Sequence, residues 1–146
     1  MDIFANNILN MCVISWLSAQ FFKIPFNFLR TKKWDYKACM QAGGFPSSHS
    51  STVCTLCVGV AKVYGVSSTI FAIVAVFSGI VMYDAMGVRR AAGDQAKVIN
   101  LLTEFMEDFA KKEFNFDNLR EVLGHTPIEV AAGIAWGVGI GLLMPA

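Results

Sequence analysis

Residues 66–86 read VSSTIFAIVAVFSGIVMYDAM. From Val66 to Met82 there is no charged residue. A helix that crosses the hydrocarbon of a bilayer needs about 20 such residues, and a strand needs far fewer. This stretch therefore predicts a transmembrane helix, and the rest of the chain is read outward from it. Just before it, a tight turn around Gly65 closes a shorter apolar run, His49–Tyr64, with Lys62 placed to snorkel to the interface. Further back, Ile3–Phe22 is a largely apolar run that Asn6, Asn7 and Asn10 make mildly polar. It has neither the basic start nor the small-residue cleavage site of a signal peptide. Beyond the polar stretch 87–127 comes a last apolar run, Ile128–Met144.

Composition agrees with this reading. Hydrophobic residues make up 55% of the chain, charged residues 16%, and the mean hydropathy is +0.50. The expected fold is all-α, a polytopic membrane helical bundle of about four transmembrane helices, in a single domain over residues 1–146. The alternative, the core of a soluble bundle, fits the third run poorly. A net charge of +1 without a basic arm gives no reason to expect nucleic acid as a partner. Cys12, Cys54 and Cys57 lie in apolar runs and read as small buried hydrophobes, and Cys39 completes no disulfide framework.

Four alternating spans place the connectors 23–48 and 87–127 on one side. Of the 12 basic residues, all but Lys62 fall there. The positive-inside rule then predicts cytoplasmic connectors. Within the second connector, Val98, Ile99, Leu101, Leu102, Phe105, Met106 and Phe109 recur at helical spacing among charged residues. They predict an amphipathic interfacial helix, on the membrane surface or against another subunit. Gly133, Gly137 and Gly141 form a small-residue face on the last span. That face predicts close helix packing, within the four-helix unit or across a homodimer.

The unusual polar residues gather at the connector ends of the spans. Lys23 and Arg30 follow the first, Ser47, Ser48 and His49 open the second, Arg89 and Arg90 follow the third, and His125 and Glu129 open the fourth. Both histidines of the chain are in this set. Arginine forks and lysine ammonium groups take up charge on phosphate oxygens. Helix N-termini add free N–H groups and a positive dipole. One imidazole can attack phosphorus while a second protonates the leaving alkoxide. The inventory suits phosphoryl transfer.

Lys23-x6-Arg30, then Pro46-Ser47-Ser48-His49, then His125-Thr126-Pro127-Ile128-Glu129 resembles the three-part signature of the type-2 phosphatidic acid phosphatases, relatives of the vanadium haloperoxidases. The short, divergent branch of that superfamily is the closer likeness. It is similar in Gly43–Ser50, in Tyr83–Gly93 and in Leu123–Pro127, over nearly the whole chain from about residue 10. The resemblance implies a membrane phosphatase acting on a lipid or polyprenyl phosphate or diphosphate. It implies a phosphohistidine intermediate, and neither metal nor cofactor. By the same resemblance His125 is the nucleophile, His49 the general acid and Glu129 the residue that orients His125. Lys23, Arg30, Ser47 and Ser48 hold the phosphate. Thr31 stands where the signature has Pro, Ser48 where it has Gly, and Glu129 where it has Asp. The Ser-Arg pair expected before His125 is missing, since Leu119 occupies the place of the arginine and Arg120 follows it. Arg89 and Arg90 are the expected substitutes.

Duller uses of the same residues are also legible. Thr126-Pro127-x-Glu129 is a capping box with Pro at the first helical position, and Ser47 is a good N-cap. The basic residues are also suitable interfacial anchors. Two rival functions follow: a non-catalytic membrane protein that keeps an anion pocket, and a small transporter that uses the polar helix ends as a path.

Overall fold

The computed structural model describes residues 5–40, 43–110, 119 and 124–146, with backbone alone for Lys37, Ala38, Arg89, Glu107, Asp108 and Ala110. The described residues are helical, without strands. Helix α1 spans Asn7–Thr31, a 3-10 turn spans Tyr36–Met40, and α2 spans Ser48–Tyr64. Helix α3 spans Thr69–Met86, α4 spans Val88–Ala110 and α5 spans Pro127–Leu143.

Each end has a local cause. Asn6 caps α1, its side chain accepting from the Leu9 N–H at 3.0 Å. That use explains one of the polar residues in the first apolar run. The helix continues past Phe22, through Pro25, and stops where Lys32 turns left-handed and its N–H bonds to the Phe28 carbonyl. The expected polar connector therefore begins about nine residues later than the sequence reading placed it. Ser47 caps α2, Ser68 caps α3 and Thr126 caps α5. Gly87 separates α3 from α4.

Helix α2 is the centre, packed against α1, α3 and α5. Its buried residues mix the hydroxyls of Ser48, Ser50, Ser51 and Thr55 with Val53, Cys54, Gly59 and Val60. Ser15 of α1 and Ser51 of α2 bring their hydroxyl oxygens to 2.6 Å. The Thr55 hydroxyl lies 2.8 Å from that of Ser15 and 2.9 Å from the carbonyls of Ser51 and Gly137. One polar cluster thus ties three helices. On α3, the Ser78 hydroxyl meets the Val74 carbonyl and the Cys57 thiol. All four cysteines are free.

The α2–α5 contact is closer than side chains allow. A Cβ on Gly133 would strike the Ser47 carbonyl, and one on Gly137 would strike the Ser51 carbonyl. A Cβ on Gly141 would come within 2.7 Å of Val58. Of the two uses expected for this glycine face, the structure shows the one inside the chain. At the far end, Lys62 donates to the carbonyls of Leu142 and Met144 at 2.9 and 2.8 Å. It satisfies the last turn of α5 as well as lying at the bundle end.

The distribution of residue types is the reverse of a soluble core. The most buried side chains include Ser15, Ser47, Ser50, Ser51 and Thr55, while Trp16, Phe21, Leu29, Ile73, Val76 and Ile80 face outward. Small and hydroxyl residues inside with large apolar residues outside is how helices pack in lipid. Two stretches are long and apolar enough to cross a bilayer, Asn7–Thr31 and Thr69–Met106, and α5 is a shorter apolar helix.

Gly137→Ala should lower stability by about 1–3 kcal/mol through overpacking. Gly139→Ala, whose Cβ meets nothing within 4 Å, should stay within about 0.5 kcal/mol of the parent. Thermal melts in detergent compare the two, and equal shifts would show that the glycine face is not a contact surface.

Candidate functional site

The continuation of α1 is what aligns its two cations. Seven residues are nearly two helical turns, so Lys23 and Arg30 lie on one face of the helix. Lys23 is almost wholly buried. Its stem runs past Gly44, whose φ of +100° suits glycine, and a Cβ there would lie 3.7 Å from the Lys23 side chain. Arg30 is exposed. Both line a cavity of about 350 Å³ with Phe26 and Asn27 of α1, Gly43, Gly44 and Phe45 of the following loop, and Thr126, Ile128 and Glu129 at the start of α5. The Phe26 and Phe45 rings pack at 4.3 Å and give it an apolar wall.

The start of α5 is held by two backbone bonds. His125 N–H donates to the Ala85 carbonyl of α3 at 2.9 Å, and Ser47 N–H donates to the Glu129 carbonyl at 3.0 Å. The first bond brings the end of α3 to the site, and the second brings the start of α2. The imidazoles meet as a result. His49 Nδ1 lies 3.4 Å from His125 Nε2, with the rings edge to face at 5.6 Å between centroids. His125 is 1% exposed and His49 partly exposed.

Glu129 stands behind His125. Its Oε2 accepts from the Thr126 N–H at 2.8 Å, while the Thr126 hydroxyl accepts from the Glu129 N–H, so the capping box is complete. The same Oε2 lies 3.5 Å from His125 Nδ1. That separation is beyond a well-formed hydrogen bond, and among the described residues Nδ1 has no hydrogen-bond partner. Capping and facing the imidazole are therefore two uses of one carboxylate.

The other expected residues divide. Ser47 is fully buried and its hydroxyl is engaged at the helix start, accepting from the Ser50 N–H at 3.4 Å and from the Ser50 hydroxyl at 3.1 Å. Ser48 is buried in the first turn of α2. Arg90 is exposed on the first turn of α4 and is not among the described residues lining the cavity. The Arg89 side chain and Arg120 lie outside the described residues. The described cavity holds the two α1 cations and Glu129, but neither imidazole lines it. Glu129 is the residue shared by the cation pair and the histidine pair.

Sequence reasoning missed Asn27, Phe26 and Phe45. The first two stand four and three residues after Lys23, so the helical period would have placed them beside it once α1 was extended. Phe45 had no such signal, because its position depends on the loop.

Cations on one helix face, a histidine at the start of each of two helices, and a carboxylate one turn beyond the second are thus brought together at one end of a helical membrane bundle. The chain belongs to the divergent PAP2 family, whose sequence model matches residues 4–140. It is 38% identical over 153 aligned residues to the protein called "Uncharacterized membrane protein YuiD" of Bacillus subtilis (strain 168), an alignment covering 99% of this chain and 97% of that relative. No solved structure matches the chain.

If the α1 cavity takes an anion, Lys23→Met should weaken binding of inorganic phosphate by at least about tenfold, which is about 1.4 kcal/mol. Lys32→Met, at the exposed C-cap of α1, should leave it unchanged. Titration of purified protein by calorimetry measures both, and equal losses would place the anion elsewhere.

Proposed function

We propose that this protein is a membrane phosphatase that hydrolyses a lipid or polyprenyl phosphate ester through a phosphohistidine. The observation that carries the reading is the line Glu129–His125–His49, with 3.5 Å on one side of the His125 ring and 3.4 Å on the other. A carboxylate facing Nδ1 favours the tautomer with its proton there, which leaves a lone pair on Nε2. His49, the partly exposed member of the pair, moves aside to admit the phosphoryl group.

In the first step the Nε2 lone pair of His125 attacks phosphorus and the bond from phosphorus to the lipid oxygen breaks. Protonated His49 gives its proton to that oxygen, and the lipid alcohol leaves. In the second step neutral His49 takes a proton from water, and the water oxygen attacks the phosphohistidine. The P–N bond breaks, and inorganic phosphate leaves. Lys23 and Arg30 hold negative charge on the phosphoryl oxygens, with Arg89 or Arg90 as the further cation. The start of α2 adds the N–H groups of its first turn. No step calls for a metal.

A lipid substrate fits the surroundings. The Phe26–Phe45 wall and exposed Ile128 offer an apolar path beside the cations. At the end of α1, Phe28 of its last turn stacks on Trp34, and Trp34 on Tyr36, next in sequence to Lys32 and Lys33, a composition suited to the membrane–water interface. The bundle then crosses the bilayer four times, and α4 is not one of the spans. The excess of basic residues at the site end orients that end to the cytoplasm.

One observation favours a second reading. The described cavity holding Lys23 and Arg30 is lined without the imidazoles, and its cations alone suffice to bind an anion without hydrolysis. Phosphate release from lipid phosphates by purified protein in detergent with a chelator present separates the two, since only the phosphatase releases phosphate. His125→Ala should abolish release and leave the fold intact. His49→Ala should cost about 10²–10⁴ with an alkyl phosphate and much less with an activated aryl phosphate. Near-parental turnover by His125→Ala, or equal losses with both substrates for His49→Ala, contradicts the mechanism.

A further inference from the structure

Helix α4 has two unlike sides. At about 100° per residue, Gly93, Ala96 and Asn100 share one side, and Val98, Leu102, Phe105 and Phe109 share the opposite one. The small side is used. Gly93 and Ala96 are buried. Asn100 donates from Nδ2 to the Leu119 carbonyl at 2.9 Å and accepts from the Leu119 N–H at 3.0 Å, so this side holds the chain that leads on to His125. The apolar side is bare, with Val98 and Leu102 each 56% exposed and Phe109 85%. Among the described elements α4 packs with α3 alone.

We propose that the bare side of α4 lies in the bilayer surface at the site end of the bundle, with Leu102, Phe105 and Phe109 among the upper acyl chains. This rests on the membrane reading of α3 and not on the phosphatase chemistry. Three observations select lipid as the occupant. The first is covalent continuity. Helix α4 starts one residue after α3, whose Ile73, Val76 and Ile80 already form an outward apolar surface. The second is level. The end of α3 is bonded to His125 through Ala85, which puts the start of α4 at the cation-rich end that carries the Phe28–Trp34–Tyr36 stack. The third is width. Ile99, Leu101 and Met106 broaden the bare face to about 160° on the same helical count, far wider than the narrow seam by which two helices pair, and suited to lying in an interface.

The test uses the full-length chain, with its four native cysteines replaced by alanine, in phosphatidylcholine vesicles. Single cysteines at Leu102, Ile80 and Lys97 carry an environment-sensitive fluorophore. Probes at Leu102 and Ile80 should be quenched at least about threefold more by lipids spin-labelled near the headgroup end of the chain than by aqueous iodide, as insertion of an apolar face requires. The probe at Lys97 should show the reverse. Lipid quenching at Ile80 with iodide quenching at Leu102 overturns the inference and leaves the membrane reading standing. Iodide quenching at both positions removes the membrane reading, and the inference with it. Protection of Leu102 from both quenchers also overturns it, and cross-linking between Leu102 positions would then identify a second copy as the occupant.

Discussion

The contact between α2 and α5 is the constraint on which the site depends. Gly133 and Gly137 let the α5 backbone reach the carbonyls of Ser47 and Ser51, and any side chain there would push the helices apart. At that distance the Ser47 N–H reaches the Glu129 carbonyl. The same register carries His49, two residues after Ser47, against His125, just before the helix that holds Glu129. The imidazole pair is therefore a consequence of helix packing. No bond between the rings need hold it.

The interior chemistry follows from the same contact. Glycine at the interface leaves little room for leucine-sized partners, so α2 presents Ser50, Ser51 and Thr55, and their hydroxyls find carbonyls and each other. In water such a core would bury too little apolar surface to hold a chain of this size. In lipid the large apolar residues remain outside without penalty, and close backbone approach with satisfied hydroxyls supplies the association. Trp136 shows the same economy, donating its indole N–H to the Ser18 hydroxyl while packing on Phe22.

Much of this was legible in the sequence, for identifiable reasons. Helices α2, α3 and α5 begin and end close to where apolar length and capping residues put them, because Ser47, Gly87 and the Thr126–Glu129 box are local signals. The amphipathic α4 was legible from its period. The end of α1 was not, since Lys23 read as the start of a connector. The seven-residue step from Lys23 to Arg30 was the better signal, because only a continuing helix gives that spacing one face. Periodicity showed that Gly133, Gly137 and Gly141 share a face, but it is silent on whether the neighbour is α2 or a second chain. The 3.4 Å approach of His49 to His125 is a matter of register between helices 76 residues apart in sequence, and no local pattern encodes it. The expected substitute Arg90 is exposed on α4 and does not line the described cavity, because a pair of adjacent arginines carries no signal for which side of its helix meets a neighbour.

The central claim is that His125 Nε2 becomes covalently phosphorylated, and trapping that adduct tests it most directly. Purified protein mixed with a radiolabelled lipid phosphate is quenched in alkali within a turnover, digested and mapped by mass spectrometry. The account predicts an alkali-stable, acid-labile phosphoryl group on the peptide containing His125, formed at a rate that can support turnover. Phosphate release at full rate with no label on His125, or label on His49 instead, would contradict it.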